Sequence, residues 1–572
     1  MKKLTKYLRG YEKEIVLGPL FKLIEATLEL IVPLIVAYII DHGIKGGSTA
    51  TVVKYSLILL LLGAVGLAFS VTAQYFCAKA SVGFATRVRS ALFSHMQKFS
   101  YSDIDELGTS TMITRMTADT EKVQSGLNLA LRLLLRSPFV VFGAMIMAFS
   151  IDFRASVSFV AVIPLLSIVV FGIMLITMPL YKRVQGGTDG LLLSTRENLS
   201  GARVIRAFRK EGDEIAAFED KNDALTLVQK RVGRISALLN PLTYILINLA
   251  ILWLIYSGAV RVDIGELTQG EVIALYNYMS QILVELIKLA NLIISITKAL
   301  ASATRISKVL ETESTARFGE ADELSDAEYA VELDGVSLTY RGGGAPAVSG
   351  IDLKVRPGET VGIIGGTGSG KSSLVNLIPG FYDATEGEVR IFGKEVHSYS
   401  EAGLRERIGI VPQRAVLFKG TVRENLAWGD SRADDAEMLR ALEIAQARGV
   451  VEEKGGLDAM IEQGGKNLSG GQRQRLTIAR ALVGSPKILI LDDSASALDY
   501  ATDAALRRSL REMGGSVTTF VVSQRAASVM HADKILVLDD GECVGLGTHE
   551  ELLDACPVYR EIYDSQFKKE GA

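Results

Sequence analysis

A glycine-rich loop between an apolar run and a helical pattern carries the clearest chemistry in this sequence. The run Thr360–Ile364 is of strand type, the loop Gly365–Ser373 contains four glycines, and Leu374–Ile378 begins a helical pattern. The loop fits G-x-x-x-x-G-K-[ST], the phosphate-binding pattern. Its glycines allow successive backbone N–H groups to point at one phosphate group, and the following helix N-terminus adds partial positive charge. The sequence therefore predicts a nucleoside triphosphate site.

Further residues in and after this loop are of types that bind the outer phosphates and Mg²⁺. Lys371 would set its ammonium on the outer phosphates, and Ser372 would supply a hydroxyl to Mg²⁺. The buried-strand run Ile488–Leu491 ends in Asp492 and Asp493. A carboxylate at the C-terminal end of a strand is where a P-loop enzyme holds Mg²⁺. We therefore expect a nucleoside triphosphate and Mg²⁺ as cofactors.

A second phosphate-suited segment lies between these two motifs. Leu468–Gln472 has the sequence Leu-Ser-Gly-Gly-Gln and precedes the helical run Arg473–Leu482. Its serine and glycines therefore open a second helix whose N-terminus is suited to phosphate.

Composition separates a membrane part from this nucleotide-binding part. A chain of 572 residues is too long for one core. Its net charge of −3 gives no basic field for nucleic acid, so no nucleic-acid partner is expected. The hydrophobic fraction of 48% indicates membrane content. Three widely separated cysteines build neither a disulfide framework nor a zinc cluster. The first apolar run is too long for a cleavable signal peptide.

Six long apolar segments precede the nucleotide-binding motifs, and each is near or above the length of about 20 residues that crosses a bilayer as a helix. They are 15–40, 53–79, 133–151, 155–181, 238–260 and 272–300. The connections 80–132 and 182–236 are long, rich in Lys and Arg, and still helical in pattern. By the positive-inside rule these connections are cytoplasmic. We expect a multi-pass protein of the inner (cytoplasmic) membrane, with both termini and the ATPase domain in the cytoplasm and the basic, mildly amphipathic start 1–14 at the membrane surface.

Several charged residues lie within these apolar segments, where contact with lipid would be costly. Two interpretations remain open for them: a polar patch of a substrate pathway, or structural ion pairs between helices. They are Lys22, Glu25 and Glu29 on the first segment, Arg132 and Arg136 at the third, and Glu285 and Lys288 on the sixth.

The pattern changes after the sixth segment, which sets the domain organisation. We expect a membrane domain over 1–310 with long cytoplasmic helical extensions, and an acidic linker without sustained period over 311–330. Alternating strands and helices over 331–572 predict a largely parallel α/β P-loop domain. Its first strand is expected from Val331–Leu333 and Val336–Leu338.

The five-residue match Leu468–Gln472 inside a P-loop domain resembles the signature of ABC transporters. Tyr340 matches the aromatic that stacks on adenine, and Gln413 matches the glutamine that senses Mg²⁺ and the membrane domain. Ser496–Asp499 matches the D-loop. The chain thus resembles an ABC exporter half-transporter, and this resemblance implies a second half-transporter as partner and transport across the lipid bilayer.

The membrane half carries the resemblance as well. Leu107–Asp119 looks like the first intracellular loop of ABC exporters, and Glu197–Phe208 looks like the second. The resemblance therefore covers nearly the whole chain. The nucleotide contacts that it implies are Tyr340, Gly365, Gly366, Thr367, Gly368, Ser369, Gly370, Lys371, Ser372, Ser373, Ser469, Gly470, Gly471 and Gln472. The metal positions are Ser372, Gln413 and Asp492, and the catalytic positions are Asp493, Gln524 and Gln413.

The sequence departs from the family pattern at the catalytic positions. The family's Walker B motif ends in Asp-Glu, whereas Asp493 here is one methylene shorter and reaches its water less well. Gln524 stands where the family has its switch histidine, and an amide cannot carry a proton as imidazole does. A milder change is Ile461–Gly465, where a Gly-Glu-x-Gly run is usual. These changes predict a site that binds ATP and hydrolyses it poorly.

The intact signature beside a weak Walker site resembles one subunit of the heterodimeric multidrug exporters of bacteria, the Thermotoga-type pair included. The expected function is ATP-driven export of small hydrophobic or amphipathic compounds. In this arrangement the signature serves the partner's competent site. The alternatives are a homodimeric exporter with Asp493 as a slow base, a lipid or lipopeptide flippase, an importer of exporter type, and a nucleotide-gated or sensory membrane protein. Glu25 and Glu29 are compatible with cationic cargo, which is a hypothesis only.

Overall fold

The computed structural model describes residues 4–513, 515 and 517–567, which form two compact units. The first unit contains the described residues up to Gln97 together with Ser110–Thr312. The second contains Lys98–Thr109 together with the described residues from Glu313 onward. The sequence-based boundaries place Lys98–Thr109 in the membrane domain, whereas the structure packs this short segment with the second unit. Of the basic start of the chain, residues 1–3 lie outside the described residues.

The first unit is helical, and six of its helical stretches are long and apolar enough to cross a membrane. The predicted six-helix membrane domain is thereby confirmed. A short 3₁₀ turn spans Leu4–Leu8, and π-helical turns span Ile39–Ile44 and Arg115–Asp119. The helices are α1 (Glu12–Tyr38), α2 (Thr49–Met96), α3 (Tyr101–Leu107, in the second unit), α4 (Thr109–Thr114), α5 (Thr120–Leu133), α6 (Arg136–Ile151), α7 (Phe153–Ser200), α8 (Ala202–Ala207), α9 (Glu211–Ala237), α10 (Leu239–Asp263) and α11 (Gln269–Glu311).

Polar residues set the ends of the membrane helices. The Asp152 carboxylate accepts a hydrogen bond of 2.6 Å from the Ala155 N–H and so caps α7. Thr268 and Glu271 form a capping box at the start of α11. Such caps satisfy backbone N–H groups that have no partner within the helix. Helices α6 and α7 are thus joined directly at Asp152.

Small residues allow α5 and α11 to pack closely. A Cβ atom added at Gly126 of α5 would lie 2.2 Å from the Cβ atom of Ala299 on α11. Real side chains do not approach this closely, so a residue larger than glycine would push the two helices apart. Small residues at helix contacts are the usual means of tight packing in membranes.

The second unit contains two main β-sheets and a small two-stranded one. A sheet in the order β2-β1-β4-β5 is antiparallel, and a sheet in the order β12-β11-β3-β10-β9-β6 is parallel except at β12. The strands are β1 (Val331–Leu338), β2 (Val348–Val355), β3 (Thr360–Gly365), β4 (Glu386–Ile391), β5 (Lys394–Glu395), β6 (Ile408–Val411), β7 (Gly420–Thr421), β8 (Met460–Ile461), β9 (Ile488–Asp492), β10 (Thr518–Ser523), β11 (Lys534–Asp539) and β12 (Glu542–Gly547).

Helices alternate with the strands along the chain, as the sequence pattern predicts. They are α12 (Lys371–Val375), α13 (Glu401–Arg405), α14 (Val422–Leu426), α15 (Asp435–Ile444), α16 (Arg448–Glu453), α17 (Gly470–Val483), α18 (Tyr500–Glu512), α19 (Ala526–Val529), α20 (His549–Ala555) and α21 (Pro557–Phe567). Strands β3 and β9 are buried almost throughout, which is typical of parallel strands covered on both faces. The first strand predicted from Val331–Leu333 and Val336–Leu338 is β1, and its pairing with β2 has register shifts after Leu333 and after Val336.

Helix α3 is held in the second unit by a buried carboxylate and a stacked ring. Asp103 is 2% exposed. It accepts hydrogen bonds of 3.0 Å from the N–H and the hydroxyl of Thr315, and another of 3.0 Å from the Ser100 N–H. The Tyr101 ring stacks on Phe381 with 4.3 Å between ring centroids. The chain between α2 and α4 is therefore anchored on the nucleotide-binding unit.

This anchor should weaken in acid. Burial opposes ionisation of Asp103, but the N–H groups of Thr315 and Ser100 outweigh it and hold the pKa of this carboxyl below its ordinary value. The stabilisation is therefore complete above the unfolded pKa of about 3.9 and is lost as pH falls through the lower folded pKa. Asp103→Asn should lower stability at pH 7 by roughly 2 kcal/mol, measured as thermal unfolding of the full chain in detergent.

A matched control for this prediction is Glu106→Gln, because the Glu106 side chain on the same helix is 64% exposed. It should leave the unfolding temperature unchanged. Equal unfolding temperatures for Asp103→Asn and the parent chain at pH 7 would show that the buried carboxylate contributes nothing.

Candidate nucleotide site

The strand order of the parallel sheet brings distant sequence motifs to one edge. Neighbouring strands β3, β10, β9 and β6 run in the same direction, so their C-terminal ends meet there. The loop from Gly365 follows β3, Gln524 follows β10, Asp492 and Asp493 end and follow β9, and Gln413 follows β6. Open α/β sheets bind their ligands at this edge.

The loop has the backbone of a phosphate cradle. Gly368 and Gly370 have φ angles of +86° and +90°, which glycine adopts readily and other residues rarely do. A Cβ atom at Gly370 would lie 2.3 Å from the Ala347 carbonyl oxygen, so only glycine fits there. The Lys371 ammonium donates to the carbonyl oxygens of Gly365 (2.9 Å) and Gly366, and therefore lies within the curl of the loop. These observations fit a bound triphosphate.

Burial shifts the pKa values of two charged groups at this edge in opposite directions. Burial lowers the pKa of Lys371, while Asp493 and Asp492 oppose that change. Burial likewise raises the pKa of Asp492, and the neighbouring charge of Asp493 adds to the rise. Buried groups of opposite sign, arranged around a polar loop, are typical of a site that receives a highly charged ligand.

The residues proposed for the metal are adjacent. The Ser372 hydroxyl donates a hydrogen bond of 3.0 Å to Oδ1 of Asp492, which is 7% exposed. A hydroxyl and a carboxylate are oxygen ligands of the type that Mg²⁺ prefers, so Ser372 and Asp492 fit this ion. When bound, Mg²⁺ would neutralise charge on the outer phosphates. The amide of Gln413 is the third candidate and lies beside Asp493.

The two residues that depart from the family pattern lie at the same edge. The Gln413 amide nitrogen is 3.4 Å from Oδ2 of Asp493. The Thr367 hydroxyl, in the phosphate loop, is 3.5 Å from the Gln524 side-chain oxygen. Asp493 has a φ angle of +45°, a backbone conformation that aspartate tolerates better than most residues. Asp493 and Gln524 thus lie at the same sheet edge as the phosphate loop.

Tyr340 lies beside the phosphate loop. Its hydroxyl donates a hydrogen bond of 2.9 Å to the Ser373 hydroxyl. Its ring meets the Tyr382 ring edge-on, with 5.1 Å between centroids. The Tyr340 ring therefore lies beside the end of the phosphate loop, and its stacking on adenine stays a prediction.

The signature segment opens a different helix. Ser469 caps α17, and its hydroxyl and the Gln472 side chain form a reciprocal capping box. Ser469 and Gly470 are exposed. Among the described residues, no hydrogen bond or ion pair joins 469–472 to the phosphate loop of the same chain. Gly471 instead borders the D-loop, since a Cβ atom there would lie 3.0 Å from the Ala497 carbonyl oxygen.

In the membrane unit, the structure pairs six of the seven charges that the sequence singles out; among the described residues no ion pair is formed by the seventh, Arg132. Arg136 bonds both Glu29 and Glu285, Lys288 bonds Glu285, and Lys22 bonds Glu25. Sequence reasoning missed the partners of Arg136, which lie 107 and 149 residues away. It also missed Asp103, for which the capping sequence Ser100-x-x-Asp103 was the available signal.

Six membrane helices and a P-loop domain with this site define an ATP-driven membrane transport protein. The family model of the ABC transporter transmembrane region matches residues 15–286, and that of the ABC transporter matches residues 348–496. An uncharacterized ABC transporter ATP-binding protein of Mycobacterium tuberculosis (strain ATCC 25618 / H37Rv) is 36% identical, with 98% of this chain and 97% of that protein covered. The chain therefore belongs to the ABC transporter family. It is a half-transporter, with one transmembrane domain fused to one ATP-binding domain, that couples ATP hydrolysis to transport.

Further similarities agree with this assignment. An uncharacterized ABC transporter ATP-binding protein of Bacillus subtilis (strain 168) is 34% identical, with both chains covered completely (100%). The ATP-dependent lipid A-core flippase of Escherichia coli (strain K12) is 29% identical, with 92% of this chain and 91% of that protein covered. The solved structure of a bacterial Atm1-family ABC exporter with ATP bound has the same fold, with a TM-score of 0.80, 22% identity, and 98% and 100% of the two chains covered.

Proposed function

We propose that this chain is one subunit of a heterodimeric ABC exporter of multidrug type, which moves hydrophobic or amphipathic compounds. Its own Walker site binds ATP and Mg²⁺ and hydrolyses slowly. Its signature completes the competent site of the partner subunit. ABC exporters work as dimers. In this one the second chain is a different half-transporter, and ATP is hydrolysed mainly at the Walker site of that partner.

The pair Asp493 and Gln524 carries the proposal. Both lie at the phosphate edge, beside Gln413 and Thr367 respectively, so neither departure is remote from the chemistry. A carboxylate on a shorter stem reaches less far toward the attacking water, and general-base catalysis requires that reach. The amide at 524 accepts and donates hydrogen bonds but carries no proton. Both changes reduce hydrolysis without removing a nucleotide contact.

The state of the signature gives the second support. Ser469 and Gly470 are exposed at the start of α17. A helix N-terminus suits the phosphates of another subunit. A chain with a weak Walker site and a complete signature is of use to a partner whose own Walker site is competent.

The membrane and the orientation are part of the proposal. The connections 80–132 and 182–236 are rich in Lys and Arg, which favours a cytoplasmic position for them and for the nucleotide-binding domain. We place the protein in the inner (cytoplasmic) membrane with both termini in the cytoplasm. Because α3 is anchored on the nucleotide-binding unit, a movement of that unit during the ATP cycle would pass to α2 and α4 through the continuous chain.

A lipid flippase is the second candidate. The name of the Escherichia coli relative, an ATP-dependent lipid A-core flippase at 29% identity, supports it. Membership of an exporter family favours either transporter over a sensory role. A homodimeric exporter would use the same fold with two equal slow sites, and activity of the lone chain distinguishes it.

The test is ATP hydrolysis in membranes by the chain alone and by the chain co-expressed with a candidate partner half-transporter that has the Asp-Glu pair. We expect hydrolysis only with the partner. Substituting the catalytic glutamate of the partner should abolish it, because the site of this chain cannot compensate. Brisk hydrolysis by the lone chain would instead assign Asp493 as a competent base in a homodimer.

A further inference from the structure

A network of four charged side chains joins three membrane helices in the middle of the first unit. Arg136 of α6 donates a hydrogen bond of 2.7 Å to Glu285 of α11 and another of 2.5 Å to Glu29 of α1. The Glu285 carboxylate also accepts from the Ser137 hydroxyl (2.8 Å) and the Lys288 ammonium (2.8 Å). Glu285 is therefore fully partnered, and its side chain is 4% exposed.

The two outer members of this network face a cavity. The side chain of Glu29 is 42% exposed and that of Lys288 is 44% exposed. Both line a cavity of about 380 Å³, which lies within the range of ligand pockets, roughly 300–1,000 Å³. Its polar lining comprises Glu29, Asn277, Ser280, Gln281, Glu285 and Lys288.

Each outer member keeps capacity for another partner. Glu29 uses its Oε2 atom for Arg136, and its other carboxylate oxygen can accept. Lys288 uses one N–H for Glu285 and has two more. The four charges of the network sum to zero, because two carboxylates face two cations. The cavity thus presents one open carboxylate and one open ammonium without net charge.

A buried acceptor adds to this arrangement. The side-chain oxygen of Gln281 is buried and has no hydrogen-bond partner among the described residues. An unsatisfied buried acceptor is costly, and a donor on a ligand would satisfy it. Gln281 lines the same cavity as Glu29, so both favour an N–H donor there.

The acidic residues of α1 do not form a free anionic surface for a cation. Glu25 is bonded to Lys22 at 2.5 Å, and Glu29 is bonded to Arg136. Glu25 does not line the cavity. The charge of each carboxylate is therefore already balanced, which removes the basis for a preference for purely cationic cargo.

We propose that this cavity binds the head group of a zwitterionic amphiphile, with a primary ammonium on Glu29 and Gln281 and an anionic oxygen on Lys288. This inference rests on the proposed export function and names the class of its cargo. A singly charged head group would engage only one of the two outer members and would therefore gain one charge-assisted contact instead of two.

Direct binding to the full chain in nonionic detergent, without nucleotide, tests the inference. The probes are three amphiphiles with C18:1 chains: lysophosphatidylethanolamine, oleylamine and lysophosphatidic acid. We expect the zwitterionic lysophosphatidylethanolamine to bind about tenfold more tightly than either charged probe, the difference made by one charge-assisted contact. A zwitterion with a quaternary ammonium, lysophosphatidylcholine, should bind more weakly because it has no N–H donor.

Substitutions of the cavity residues test which side chains bind the head group. Glu29→Gln and Lys288→Met should each remove the preference for the zwitterion. Gln281→Met should weaken its binding while leaving the fold intact, because the amide oxygen has no partner to lose. Glu25→Gln is the matched control, one turn away on the same helix and outside the cavity, and should bind all three probes as the parent chain does.

Equal or tighter binding of oleylamine, or an unchanged preference in Lys288→Met, would overturn the inference. ATP hydrolysis and transport are measured separately, so the two failures can be told apart. An active exporter without the zwitterion preference overturns the inference alone. The preference without ATP-driven transport supports the cavity assignment and overturns the proposed function.

Discussion

Replacing Gly471 with aspartate in this chain should reduce ATP hydrolysis by the assembled exporter about 100-fold or more. The proposed arrangement sets this glycine against the terminal phosphate in the competent site of the partner. The aspartate side chain would displace the backbone N–H donor at this position, and its carboxylate would repel the phosphate. Loss of one preorganised donor from such a site costs roughly 10²–10³ in rate. A Cβ atom at this position would also lie 3.0 Å from the Ala497 carbonyl oxygen, so the D-loop would have to shift.

Two comparisons make this prediction specific. Gly449→Asp is the matched control, since Gly449 is an exposed helical glycine of α16 with nothing within 4 Å of an added Cβ atom. It should leave hydrolysis unchanged. Lys371→Ala, at the slow site, should cost the complex much less than Gly471→Asp does. Equal losses from Lys371→Ala and Gly471→Asp would mean that the two sites contribute equally, which contradicts the asymmetric proposal.

The second large effect is a gain of activity. Asp493→Glu combined with Gln524→His should raise hydrolysis at the site of this chain by about 10–100-fold, since general-base catalysis contributes roughly 10²–10⁴. We expect a gain below the upper end of this range because residue 493 has a φ angle of +45°. Glutamate tolerates this backbone conformation less well than aspartate does. The imidazole at 524 would face Thr367 in the phosphate loop, as the amide does.

The measurement uses a complex whose partner lacks its catalytic glutamate, so that only the site of this chain can turn over. Each single substitution is assayed beside the double one, and a variant that combines the double substitution with Lys371→Ala is the control for the origin of the activity. No gain in the double variant would place the defect of this site elsewhere, for example at Ile461–Gly465, and would remove the main support for the weak-site interpretation.

Much of the architecture was predictable because its signals are local. Six apolar runs of membrane length and the strand–loop–helix pattern around Lys371 each occupy a short stretch of chain, and the physical demand that they answer is also local. Bilayer thickness sets helix length, and a phosphate loop requires glycines at particular φ angles. The loop around Lys371 and the pair Asp492 and Asp493 could likewise be expected at one place, since each follows or ends a strand and the C-terminal ends of parallel strands lie at one sheet edge.

Long-range pairing required the tertiary structure. The sequence singles out Arg136, Glu29 and Glu285 as charges in apolar helices, but their pairing depends on how α1, α6 and α11 rotate about their axes. The same holds for Asp103, whose partner Thr315 lies 212 residues away. Helical periodicity identifies which face of a helix is buried, but it does not identify the residue on the neighbouring helix that contacts this face. That contact depends on the sequences and rotations of both helices. Only the tertiary structure therefore shows that Glu25 and Glu29 of α1 are each paired with a cation. It also shows that the cavity presents one carboxylate, Glu29, and one ammonium, Lys288, without net charge.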